Sequence, residues 1–117
     1  MSDLRDLQCT SCQVDIPKLT DRDSHLLNKQ IPEWTIKKRS EIYQLERVFT
    51  FENFKYAIEF TDKVAAMAEE QAHHPKLITE WGKVTVTWWS HKLKGLHQND
   101  FICAAKTDEL ICVGLKF

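Results

Sequence analysis

The sequence predicts an α+β fold, a two-layer sandwich in which a four-stranded antiparallel sheet carries three helices on one face. Two β-rich stretches each fold back on themselves, around Lys38-Arg39-Ser40 and around Trp81-Gly82. A continuous helical periodicity joins them over residues 51–72, and shorter helical segments precede the first hairpin and follow the second. Hairpin strands pair antiparallel, and helices covering one face of such a sheet give two layers. The long helix crosses between the hairpins and must lie on the sheet.

Each element has its local reason. Residues 1–19, with Pro17 near their end, show little periodicity and form an N-terminal arm; the domain proper spans 20–117. Thr20 offers an N-cap to a short helix through Asp21, Asp23, Leu26 and Leu27, its acids well placed in the first turn, and Pro32 ends it. Trp34 and Ile36 open a strand that returns through Ile42, Tyr43, Leu45, Val48 and Phe49, rich in β-branched and aromatic side chains. Thr50 is positioned to cap the long helix. There Phe51, Phe54, Ile58, Ala65, Ala68 and Ala72 recur at three- and four-residue intervals, with Val64 and Met67 widening the stripe. Pro75 stops it. Leu77–Glu80 and Lys83–Ser90 form the second hairpin, with Val84, Val86 and Trp88 on one face and Thr85, Thr87, Trp89 and His91 on the other. A loop through Gly95 leads into a last helix over Gln98–Cys112, closed by Gly114.

Composition narrows the function classes. The 117 residues suit one core, and 43% apolar with 28% charged residues argues for a packed globule. Sixteen basic and 17 acidic residues, well mixed, leave a net charge of −1 and no basic stripe, so nucleic acid is not an expected partner. No apolar run is long enough to span a bilayer, so no membrane association is expected. With Asp3, Arg5 and Asp6 the first residues lack a signal peptide's apolar stretch, and a cytoplasmic location is expected. Cys9 and Cys12 have metal-knuckle or redox spacing without the second tight pair or the strand–helix setting that either use requires. Cys103 and Cys112 fall in an apolar helical pattern as small core residues.

The chemistry concentrates at His73-His74-Pro75. Successive helical side chains diverge by about 100°, so both rings reach one cleft only if the backbone turns there, a change assigned to Pro75. Glu69, one turn before His73, can accept an imidazole N–H and fix its tautomer. The negative helix end favours the protonated ring, suited to giving a proton to a leaving hydroxyl. His91 must reach the pair through the fold, and Asp100 lies in the first turn of the last helix, where an acid is favourable on dipole grounds alone. Histidines titrate near neutrality, so the cluster suggests acid–base work.

The joint spacing resembles a known family. Glu69, three residues, His73-His74-Pro75, five residues, Trp81, nine residues, His91, eight residues, Asp100 is similar to the signature of the pterin-4a-carbinolamine dehydratases. Trp34 opening the first strand, Phe54-Lys55-Tyr56-Ala57 at the start of the long helix, and Gly95-Leu96 before the last extend the likeness across roughly residues 20–113. The resemblance implies dehydration of 4a-hydroxytetrahydropterin to quinonoid dihydropterin, recycling the cofactor of aromatic amino acid hydroxylases. It implies no metal and no organic cofactor, and a homodimer or homotetramer. It places the pterin among His73, His74 and His91 as catalytic residues, with Glu69, Pro75, Trp89, Ser90 and Asp100 also at the substrate. On this resemblance His73 and His91 are the candidates to protonate the 4a-hydroxyl, His74 is given to orienting the pterin ring, and Glu69 and Asp100 would orient the imidazoles. The chain departs from its relatives at Ala72, where Asp or Asn is frequent, at Trp89-Ser90, where smaller polar residues are usual, and at His97, where Ser or Thr commonly caps the helix.

Two other readings stand beside this one. A non-catalytic dimerisation, assembly or transcriptional co-regulator protein keeps the same fold but has no use for three histidines. A metal hydrolase would use His73, His74 and His91 as ligands, but neighbouring histidines are awkward donors to one ion, and no carboxylate ligand is apparent.

Overall fold

The hydroxyl of Thr20 accepts the Asp23 N–H at 3.1 Å, and the helix it caps, α1, runs Asp21–Asn28. The structure is a computed structural model and describes Leu4, Leu7 and residues 19–112, the last without its side chain. The N-terminal arm beyond Leu4 and Leu7, with Cys9 and Cys12, and the expected stop at Gly114 lie outside the described residues, as does the Cys112 side chain. Leu4 is buried, and its N–H donates to Gln30 Oε1 at 3.1 Å.

Strands β1 (Thr35–Arg39) and β2 (Ile42–Thr50) form the first hairpin, and β3 (Lys76–Glu80) and β4 (Lys83–Trp88) the second. The order β1-β2-β4-β3 joins the hairpins through antiparallel β2 and β4, with Leu45 opposite Trp88 and Phe49 opposite Val84. The long helix α2 (Phe54–Gln71) connects the hairpins, and α3 (Gln98–Cys112) follows them. Three helices and a four-stranded antiparallel sheet make the α+β fold that the pattern predicts.

Alternation sorts the sheet cleanly. Leu45, Phe49, Val84, Val86 and Trp88 are buried and join one cluster with Ala57, Phe60, Val64, Met67 and Ala68 of α2 and Phe101 and Ala104 of α3. Phe60 packs its ring 4.7 Å from Phe49 and 5.2 Å from Phe51, so it bridges helix and sheet. Removing such a ring costs about 3–5 kcal/mol. Cys103 is buried, as its pattern predicts. On the opposite face Glu46 accepts from Lys37 and Arg39, both at 2.8 Å, and from Thr87 at 3.0 Å.

Three local expectations are corrected. The cap of α2 is Asn53, whose side chain accepts the Tyr56 N–H, and not Thr50, which is the last residue of β2. The buried stripe of α2 is Ala57, Phe60, Val64, Met67, Ala68 and Gln71, whereas Phe54 and Ile58 stay 47% and 37% exposed. Apolar residues lie on two faces of this helix, and packing on the sheet selects one. The first turn is Ser40-Glu41, both at positive φ, so β1 extends through Lys38 and Arg39. Two such residues match the right-handed strand twist in a tight hairpin.

Candidate active site

The adjacent histidines separate where α2 stops. Ala72 is left-handed (φ 53°, ψ 38°), its N–H donates to the Glu69 carbonyl, and the His73 N–H reaches back to Ala68. These two bonds close the helix in a Schellman motif. The reversal that splits the two rings therefore sits at Ala72, three residues before the expected change at Pro75. His73 turns into the protein and is buried, while the His74 side chain is 61% exposed.

Asp100 is the hub of the buried half. Its Oδ1 lies 2.6 Å from His73 Nε2, and its Oδ2 accepts from Ser90 Oγ at 2.9 Å and from the His97 N–H at 2.8 Å. Asp100 and Ser90 are fully buried. A carboxylate can only accept, so His73 Nε2 carries the proton toward it. The His73 ring lies parallel to Trp88 (5°, centroids 5.6 Å apart), which fixes its plane and suits a cationic ring.

The exposed half lies at the same end of the sheet. The β3–β4 pairing ends at Lys76 opposite Thr87, so residues 73–75 and 89–91 leave the sheet at the same end. Trp88 and Ser90 lie with His73, Trp88 through the stacked rings and Ser90 through the shared Asp100. The ring of exposed His91 stacks on half-buried Trp89 at 4.4 Å, and His74 Nε2 lies 3.4 Å from Glu69 Oε2. Glu69 therefore reaches His74. Pro75 is half-buried between the two histidines and β3.

Trp81, part of the spacing signature, is 74% exposed at the β3–β4 turn. Gly82 beside it has φ +75°, and its carbonyl accepts the Phe51 N–H at 2.8 Å. Two further residues complete the buried cluster, Trp88 and, at the cap position expected for the last helix, His97. Trp88 was assigned to the core but not to His73. His97 proves to be the cap of α3, with Nδ1 accepting the Asn99 N–H at 3.1 Å. Burial pushes the His97 ring below the ordinary histidine value and His73 adds to this, while Asp100 opposes both. The signal was present: a residue followed three positions later by an acid is the spacing of a capping box.

A cavity of about 330 Å³ opens elsewhere, between α1, the first hairpin and residues 94–96. Its Lys38 is engaged by Glu41 and the Tyr43 ring, and Lys94, His25 and Asp21 are exposed. The buried polar constellation is the His73–Asp100 cluster, and the chemistry is sought there.

A family model described as Pterin 4 alpha carbinolamine dehydratase matches residues 17–110, most of the chain. The chain belongs to this family. Among solved structures it is similar to a transcriptional coactivator/pterin dehydratase from Brucella melitensis, with a TM-score of 0.71 and 26% identity over 80% of this chain and 97% of that one. It is also similar to a pterin dehydratase-like protein described as a RuBisCO assembly factor in the alpha-carboxysome. There the TM-score is 0.54, with 23% identity over 65% of this chain and 88% of that one, a likeness of fold alone. The two structures carry different descriptions on a similar fold. Among the described residues, no helix is long and apolar enough to cross a membrane.

Proposed function

We propose that this chain is a 4a-hydroxytetrahydrobiopterin dehydratase, acting on the carbinolamine by imidazole acid–base catalysis. The supporting observation is the buried His73–Asp100 pair, 2.6 Å apart, with both carboxylate oxygens hydrogen-bonded and the ring stacked on Trp88. Such a pair serves no apolar packing. It does suit a ring that must be held in one tautomer and stabilised when charged.

The reaction needs two proton movements. A proton reaches the 4a-hydroxyl, the C4a–O bond breaks with its electron pair and water leaves. The N5 proton then passes to a base as the N5=C4a double bond forms. His73 and His91 are assigned to the hydroxyl, His74 to orientation of the pterin, and Asp100 to positioning of His73. Glu69 sits beside His74 and orients that ring, and Pro75, Trp89 and Ser90 complete the surroundings. Trp89, stacked on His91 at an interplanar angle of 24°, offers an aromatic surface to a planar heterocycle. The C4a–O bond breaks between the two proton transfers, which side chains of this chain are assigned to carry.

The domain is taken as residues 20–117, cytoplasmic, and recycling the cofactor of an aromatic amino acid hydroxylase. Exposed Phe54, Ile58 and Trp81 support self-association into a homodimer or homotetramer. Light scattering at micromolar concentration tests this, and a monomer contradicts it. The activity is tested by the rate of 4a-carbinolamine breakdown, followed by ultraviolet absorbance with and without the protein. Acceleration proportional to protein concentration is expected, and none at all sinks the assignment. The second reading, a non-catalytic assembly or co-regulator protein, draws support from the described roles of both relatives and requires that absence of acceleration.

A further inference from the structure

The last helix begins at a histidine. His97 Nδ1 accepts the Asn99 N–H at 3.1 Å, while Asp100 Oδ2 accepts the His97 N–H at 2.8 Å. This is the reciprocal arrangement of a capping box, whose first member is ordinarily a hydroxyl. A hydroxyl does not titrate in the accessible range, but an imidazole does. The cap bond uses the lone pair of Nδ1, so protonating the ring sets one N–H against another and the bond is lost. The same proton puts a positive charge beside His73, whose Nε2 proton already faces Asp100. The charged or titratable groups acting on His97 are Asp100 from α3 itself and His73 from the α2–β3 connection. Burial and His73 together outweigh the attraction of Asp100, which keeps the ring neutral to a lower pH than a solvated histidine.

We propose that His97 is a titratable positioning residue: its neutral ring caps α3 and so holds Asp100 against His73, and acid uncouples the pair. Asp100 occupies the third position of the first turn, where the backbone is fixed by that cap. Its carboxylate is held in part by the backbone N–H of His97 itself. Losing the cap loosens both supports at once. The effect on rate rests on the dehydratase reading, whereas the effect on the His73–Asp100 geometry does not.

The sign follows from linkage. A folded-state value below the ordinary 6.5 means that the unfolded chain binds the proton first. Stability is then full above that value and declines as pH falls through the folded one. The test uses the full chain with His97→Ser and His97→Asn, which offer uncharged, non-titrating caps. NMR follows the Asn99 amide and the His73 ring protons against pH, and the absorbance assay follows carbinolamine breakdown. In the wild type both sets of signals are expected to move together in one step below 6.5, the ordinary histidine value. That shared step is absent from the variants. One pH unit below the wild-type midpoint the wild type keeps about a tenth of its plateau rate, and the variants stay within about twofold of theirs.

A shared step that persists in either folded variant overturns the proposal. So does a wild-type His97 that titrates without moving the His73 signals, a measurement that holds even if neither variant folds. A wild type that shows the shared step but accelerates no dehydration refutes the dehydratase reading and leaves the positioning role supported.

Discussion

Replacing Asp100 by Asn separates the charge of the hub from its shape. The side chain is fully buried and almost isosteric, so no cavity forms. With the amide oxygen in the place of Oδ2, Ser90 Oγ and the His97 N–H keep their acceptor. The amide NH₂ then occupies the place of Oδ1 and points at His73 Nε2, 2.6 Å away in the wild type. Two donors cannot face each other, so the His73 proton moves from Nε2 to Nδ1. The number of hydrogen bonds is preserved and the charge is lost. Charge-assisted bonds contribute roughly 1.5–3 kcal/mol and neutral ones about 1, so three weakened bonds represent up to ~3 kcal/mol. Easier burial of a neutral amide offsets part of this, which leaves a net loss of about 1–2 kcal/mol.

Activity is hit harder. His73 changes tautomer, and its cationic form has lost its counter-ion. Positioned acid–base groups contribute about 10²–10⁴-fold, and a fall in kcat within that range is expected. Absorbance-monitored carbinolamine breakdown measures the rate, and a thermal unfolding midpoint shows that the variant is folded. The reasoning fails if a folded Asp100→Asn protein stays within about fivefold of the wild-type kcat, far short of what acid–base groups contribute. Asp100→Ala is the contrasting case. It strips the acceptor from buried donors, and a destabilisation of about 3–5 kcal/mol is expected.

The remaining predictions concern the rim, the open sheet face and the end of α2. His74→Ala and His91→Ala should fold normally, both side chains being exposed, yet lose most dehydratase activity; a fully active double variant removes the support for their roles. Arg39's hydrogen bond above all, followed by those of Lys37 and Thr87 and opposed by burial, holds the Glu46 carboxyl at about 2 rather than 4.5. Its stabilisation is therefore present above 4.5 and lost as pH falls from there toward 2. Lys37 and Arg39 are 45% and 42% exposed, so screening reduces the neutral-pH contribution to about 1–2 kcal/mol. Urea midpoints of wild type and Glu46→Gln should differ by that amount near neutrality and converge near about pH 2–3; a difference that persists in acid contradicts the assignment. Ala72→Gly relieves a left-handed alanine and should stabilise by about 1 kcal/mol, raising the melting midpoint by roughly 3–5 °C. A lowered midpoint would show that the Ala72 methyl makes contacts worth more than its backbone strain.

Much of the fold was legible because its signals are local. Thr20 announces α1, Gly82 marks the second turn, and alternation from Val84 through Trp88 sorts the two sides of the sheet. The face of α2 was not legible, because Phe54, Ile58 and Ala65 make as good a stripe as Ala57, Phe60 and Val64. Only the sheet decides which stripe is buried. Ser40-Glu41 lacks the Asn or Gly that such a turn favours, so nothing local distinguished it from its basic neighbours. In the candidate site the link from Asp100 to an imidazole came from the family resemblance, and nothing local in the sequence places it. Asp100 lies 27 positions away, and its hydrogen bond depends on where α3 docks.

The site occupies the places where regular structure ends: the left-handed stop of α2 at Ala72, the end of β4 at Trp88 and the cap of α3 at His97. At Asp100 the coupling of stability and chemistry is unavoidable, since the oxygen that closes the first turn of α3 belongs to the carboxylate that holds His73. At His74 and His91 the two are separable, because those rings are exposed and their partners, Glu69 and Trp89, are side chains at the rim. A scaffold arranged this way can change or lose its chemistry at the rim without unfolding. That gives a physical basis for finding proteins described as a dehydratase and as an assembly factor on one architecture.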